Sequence, residues 1–227
     1  MEPARLLSIL IAGFLVVSGL AQQAAAQEIG KLYAARPPAG YAFVRVAVAN
    51  RSAEAGSIQI DSSKIPIDDA AVASRYRAVK ADTAVRISAG GAVIDDKTIP
   101  RADQFSTIVI RRDGSGWTST TIEEGQGAVN DLKAQLRFFN LVPRCEASLK
   151  IMDGPVVFDA TASGTVKSRA INPVQARLEA SCNGRTAALA LPQLRSGDHF
   201  SLFLTEKGEE AVSLSGQFDE TEPYKER

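Results

Sequence analysis

The side chains in this chain most suited to chemistry are one histidine, two cysteines and a scatter of paired acids. His199 would have to serve any histidine-based catalysis. It sits at a polar position just before Phe200, and an internal repeat described below sets Gln104 opposite it. A position filled equally by Gln or His asks for a polar group rather than a general base, which speaks against a Ser-His-Asp arrangement. The pairs Asp68-Asp69, Asp95-Asp96, Glu123-Glu124 and Glu209-Glu210 could suggest a metal site or glycosidase carboxylates. Neighbours on a strand point to opposite faces, however, so such pairs do not converge by spacing and read as solvated charges. "RRDGSGW" at Arg111–Trp117 lacks the Lys and the strand–loop–helix setting of a phosphate loop and reads as a hairpin turn. Trp117, Tyr33 and Tyr41 read as packing aromatics. No catalytic residue, cofactor or metal is expected.

The cysteines carry a clearer message. Cys145, Ala147, Leu149 and Ile151 alternate with Glu146, Ser148 and Lys150. Val174, Ala176, Leu178, Ala180 and Cys182 alternate with Gln175, Arg177, Glu179 and Ser181. Strand side chains repeat every two residues, so each cysteine lies on the apolar face of its own strand, and the two can meet as a Cys145–Cys182 disulfide. There is no CxxC, and a single histidine cannot complete a zinc site.

Those strands belong to a tandem. "AFVRVAVAN" at Ala42–Asn50 resembles "AQLRFFN" at Ala134–Asn140, aligning Arg45 with Arg137. Ser74-Arg75 is matched by Ser168-Arg169, and "DQFSTIVI" at Asp103–Ile110 by "DHFSLFL" at Asp198–Leu204. The offsets of 92, 94 and 95 positions, in the same order, indicate a duplicated unit. Seven short strands are predicted in each unit. Those of the first end with Gln104–Arg112 and Trp117–Ile122; those of the second include Val174–Cys182, and Pro173 beside it fits the first position of a strand or an edge. Gly90-Gly91 and Asn183-Gly184 suit two-residue hairpins. The expected fold is all-β: two tandem β-sandwich, immunoglobulin-like domains at 27–125 and 133–217, with a connector at Glu123–Asp131 and a loose polar tail at 218–227.

The beginning of the chain reads as a targeting signal. Leu6–Leu20 is uncharged and largely apolar, and Ala24–Ala26 offers small residues for cleavage. The run is short for a membrane span, so a secretory signal at 1–26 is expected to be removed, leaving no stable membrane insertion. The remaining roughly 200 residues carry 25 acidic and 25 basic groups, one Glu and one Arg having left with the signal. A neutral chain does not draw in a polyanion over long range, so nucleic acid is excluded as an expected partner.

"KLYAARPPAGYAFVRVAVAN" at Lys31–Asn50, "KAQLRFFNL" at Lys133–Leu141 and "SRAINPVQARL" at Ser168–Leu178 resemble the alginate O-acetylation accessory family (AlgF-like). The likeness runs from about Leu32 to Thr205, and Ile171-Asn172-Pro173-Val174 is its most specific part. The resemblance implies a periplasmic, non-catalytic adaptor needed for O-acetylation of an exported polysaccharide, alginate first and cellulose second. Its implied partners are a membrane-bound O-acyltransferase and periplasmic acetyltransferases, with the polysaccharide itself as a further candidate. Arg45, Arg137, Arg169 and Asn172 are the candidate docking residues. Two other readings compete with it. One is a two-domain pilus-type chaperone, in which Gln104–Arg112 would be the donated strand. The other is an acetyltransferase or esterase acting alone.

Overall fold

The computed structural model describes residues 36–50, 58–67, 70–114, 116–125, 132–208 and 210–224. The signal at 1–26, Tyr33, Asp68-Asp69 and Glu209 lie outside these residues. The described residues form sixteen strands. The first eight are β1 (Tyr41–Val48), β2 (Ile58–Ile60), β3 (Ser63–Lys64), β4 (Arg77–Lys80), β5 (Val85–Ala89), β6 (Ala92–Thr98), β7 (Phe105–Asp113) and β8 (Gly116–Gly125). The second eight are β9 (Ala134–Asn140), β10 (Ala147–Ile151), β11 (Val156–Thr161), β12 (Thr165–Ile171), β13 (Arg177–Cys182), β14 (Arg185–Ala190), β15 (His199–Glu206) and β16 (Val212–Phe218).

Four four-stranded sheets result, ordered β4-β1-β7-β8, β3-β2-β5-β6, β12-β9-β15-β16 and β11-β10-β13-β14. Counting from the first strand of each half, the two orders are identical. Each half is a β-sandwich, and in each the first strand pairs parallel with the seventh: Phe43 with Phe105, Gln135 with His199. The β5–β6 and β13–β14 hairpins turn through Gly90-Gly91 and Asn183-Gly184, all four at positive φ as primed turns require.

The registers correct the sequence alignment. Val44 pairs with Arg77 and Leu136 with Arg169, so Arg169 corresponds to Arg77, 92 positions earlier, and not to Arg75. Likewise the counterpart of His199 is Phe105 rather than Gln104. Two strands beyond those expected appear, β3 and β12. β12 takes in Lys167, Ser168 and Arg169, while Pro173 lies in the connection before β13. Glu123–Gly125 belong to β8 rather than to a connector.

Three apolar clusters hold these layers. Ala42, Val44, Val46 and Val48 face Ile58, Ile60 and Ile87 inside the first sandwich. Leu136 and Phe138 face Leu149 and Leu178 inside the second. The third cluster lies between the halves, where Ala47, Ala49 and Val109 meet Phe139, Leu141 and Phe203. β1 and β9 therefore bury both faces, and the described residues form one body. Each large apolar side chain so enclosed contributes about 1.5–3 kcal/mol.

The tail is part of that body. The Asp219 side chain is buried, and Tyr76 forms a parallel bridge with Thr221. The Tyr76 N–H donates to Glu220 O at 2.8 Å and the Glu222 N–H to Tyr76 O at 2.7 Å. Residues 219–222 are thus a strap from the second half onto the first, where a loose tail was expected.

Candidate functional site

Alternation along β1 sends Arg45 away from the first sandwich's core, on the face shared with Ala47 and Ala49. β9 does the same with Arg137. Since the two sandwiches meet on these faces, both guanidiniums end up inside: Arg45 is 0 % exposed and Arg137 4 %. Arg45 Nη1 donates to Asp219 Oδ1 at 2.8 Å, Nε to Thr107 Oγ1 at 2.8 Å and Nη2 to Ser201 Oγ at 3.0 Å. Arg137 Nη1 donates to Asp219 Oδ2 at 2.6 Å. Glu124 lies 3.5 Å from Arg45 and 3.6 Å from Arg137. It accepts from Tyr76 at 2.6 Å and from Thr107 at 2.5 Å. The Arg45 guanidinium also lies over Tyr76, 4.3 Å from the ring centroid, where the ring's negative face attracts a cation.

The cluster is itself duplicated. β1–β7 and β9–β15 set Arg45 beside Thr107 and Arg137 beside Ser201 in register. Thr107 donates to Glu124, and Ser201 donates to Asp219 at 2.7 Å. Each half supplies one arginine, one aliphatic hydroxyl and one carboxylate, with the Tyr76 phenol added from the first, so two positive and two negative charges cancel. Burial alone would raise the Asp219 carboxyl, but Arg45, Arg137 and Ser201 hold it below the ordinary carboxylate range. Burial works against the charge of Arg45, and the surrounding Tyr76, Glu124 and Asp219 outweigh it, keeping the guanidinium charged. Burial is also the first cause pushing the Tyr76 phenol well above its usual value. Each charge has an opposite partner, so the cluster acts as a clamp fixing one docking of the halves. Arg45 and Arg137 are therefore internal groups in this structure, not docking residues at the surface. Arg111 of β7 adds a contact of the same kind, 2.7 Å from Glu206 of β15.

Arg169 and Asn172 come together elsewhere. They line a cavity of about 400 Å³ on the open side of the second sandwich, with Lys133 nearby and Leu136, Leu178 and Leu191 among its apolar walls. Arg169 reaches across the opening from β12, its Nη1 3.3 Å from Val157 O on β11.

The cysteines form the expected disulfide, with Cα atoms 5.8 Å apart and a separation of 37 positions in sequence. It staples the turn before β10 to the end of β13. Asp95 accepts from Lys97 N at 2.8 Å and from Thr98 Oγ1 at 2.7 Å. Burial pushes its carboxyl up, but these bonds and one from Ser119 outweigh it and leave the carboxyl low. Trp117 packs against the first core beneath Arg112. Among the described residues no group of three or more His, Cys, Asp or Glu could hold a metal. β7 has β1 on one side and β8 on the other, so Phe105–Asp113 has no open edge to donate to a pilus subunit.

No protein-family model matches the sequence, and no curated protein does. Among solved structures the chain is similar to one from Bacteroides ovatus ATCC 8483, proposed to be a cell adhesion protein. The identity is 11 % over 83 % of this chain and 100 % of that one, with a TM-score of 0.26.

Sequence reasoning missed Asp219, Tyr76, Thr107 and Ser201, and it read Glu124 as a solvated charge, whereas its side chain is buried against Arg45, Tyr76 and Thr107. A signal was present: the Arg45 face also carries Phe43, Ala47 and Ala49, and the Arg137 face carries Phe139 and Leu141. Apolar residues on both faces of a strand mark it as doubly covered, and an arginine within such a strand then needs internal partners.

Proposed function

We propose that this protein is a non-catalytic adaptor, exported to the periplasm, for O-acetylation of a secreted polysaccharide. It would bridge a membrane-bound O-acyltransferase and periplasmic acetyltransferases. The observation that carries this reading is the resemblance of Lys31–Asn50, Lys133–Leu141 and Ser168–Leu178 to the AlgF-like family, with alginate the first candidate polymer. The architecture is compatible with it: two sandwiches locked back to back keep their outer sheets on opposite sides, as suits a bridge between two partners. The disulfide favours an extracytoplasmic compartment.

Deleting the gene is expected to abolish polymer acetylation while polymer synthesis continues. Normal acetyl content in the deletion strain would refute the proposal. Purified protein is expected to transfer no acetyl group from a donor ester to polymer; transfer that disappears in His199→Ala would make it an enzyme instead.

A further inference from the structure

The two halves present the same edge, and only one carries a described occupant. In the first half the edge strand β4 and the residues before it offer Arg75, Tyr76 and Arg77, and the strap lies along them. Glu220 sits 2.8 Å from Arg75, and Glu222 takes Arg77 through both carboxylate oxygens, at 2.7 and 3.0 Å. Arg77 also spans the open side of its sandwich, donating to Ser63 O and Lys64 O on β3. An acidic–x–acidic segment thus meets a basic–x–basic edge.

The second half repeats the receiving side of that arrangement. Arg169 is the register counterpart of Arg77, Ser168 precedes it as Tyr76 precedes Arg77, and Lys167 lies two residues before Arg169 as Arg75 lies before Arg77, although a one-residue shift at Ser74-Arg75 interrupts the first edge. Arg169 likewise spans to the β3 counterpart, at Val157 O on β11. β12 is the edge of its sheet, paired only with β9. Pairing alternates along an antiparallel ladder, so Ser168, like Tyr76, turns its N–H and C=O outward. No carboxylate among the described residues meets Arg169; Lys167 reaches only Asp159, donating to its backbone O at 2.6 Å with the carboxylate at 3.5 Å. Beside this edge lies the cavity with Lys133, Asn172 and apolar walls.

The geometry points to this edge as a docking site for an extended acidic segment of a partner protein. Two carboxylates one residue apart would pair with Lys167 and Arg169, the backbone would bridge Ser168, and a neighbouring apolar side chain would enter the cavity. The partner's segment would add to β12 as the strap adds to the first half. This rests on the adaptor reading and names the surface through which it would act.

The test uses the full mature protein and the synthetic peptide FDETEPY, the chain's own Phe218–Tyr224 sequence. NMR titration is expected to move the amides of Lys167–Ile171 more than those of Tyr76–Lys80. Binding should weaken at least tenfold in Arg169→Glu and in a peptide whose two strap glutamates are made adjacent. Shifts unaffected by Arg169→Glu, or none at β12 at millimolar peptide, would overturn the proposal. So would concentration-dependent dimerisation lost on removing the tail, which would make a second copy the occupant. A deletion strain lacking acetylation together with a silent peptide titration would remove this site and leave the adaptor reading standing.

Discussion

The first half of the molecule is closed by its own chain, whereas the second is stapled within itself and has an edge that no described strand covers. Both have the same eight-strand plan, and both lend an arginine, a hydroxyl and a carboxylate to the clamp between them. What differs lies at the margins. Residues 219–222 lie against the first half, and the Cys145–Cys182 bridge sits in the second. The duplicated plan is tolerant of such changes because sheet order depends on alternation and turns, while edges and loops are free to diverge.

Removing what joins the halves should have the largest effect. Asp219→Ala leaves two buried guanidiniums short of their shared carboxylate, and breaking a buried ion pair this way costs about 5 kcal/mol at the upper end of such losses. Urea unfolding monitored by circular dichroism should show it; a loss under about 1 kcal/mol would mean that the clamp is replaceable. The same carboxyl sets an acid limit. Its folded pKa lies below the unfolded value, so its contribution is complete above the ordinary aspartate range and fades as pH falls through the folded pKa. Asp219→Asn should therefore flatten the pH dependence of stability below about pH 4.

The staple comes next. Replacing both Cys145 and Cys182 by alanine releases the loop between them, worth about 4 kcal/mol in the chain-entropy model. If the clamp couples the halves, thermal unfolding keeps a single transition at lower temperature. Two separated transitions would show that each sandwich melts by itself.

A smaller asymmetry lies on the eighth strand of each half. Gly216 pairs with Leu202, whereas the counterpart Thr121 pairs with Ile108. A Cβ on Gly216 would meet two ring atoms of Phe200 at 2.6 Å and Leu189 at 2.9 Å. Gly216→Ala should cost about 2 kcal/mol through overpacking, against less than about 0.5 kcal/mol for exposed Thr121→Ala. Equal costs would show that the second core yields to the extra methyl group.

These asymmetries explain what was legible beforehand. The tandem, the all-β class, the glycine and Asn-Gly hairpins and the cysteine pair each depend on alternation or local turn chemistry, which sequence displays directly. β12 escaped notice because "TVKSRAI" lies at an edge and mixes cations with small residues, so neither face reads as apolar. Arg45 and Arg137 were expected to dock partners at the surface, but the face they occupy is interior because another sandwich covers it. The strap was invisible for the same reason: a polar tail finds its partners only after Tyr76 and Arg77 have been positioned by folding.

The smallest expected effect gives the sharpest comparison between the two edges. Arg77 and Glu222 are about one-fifth exposed, at 20 % and 23 %, so solvent screens part of their attraction. Glu222→Gln should accordingly cost no more than about 1 kcal/mol. Arg169→Gln, at the edge where no carboxylate among the described residues meets it, should change stability by less than about 0.5 kcal/mol. The difference measures what an acidic strand contributes once it is in place. A loss at Arg169 as large as that at Glu222 would mean that the second edge is already filled, and the asymmetry between the halves would disappear.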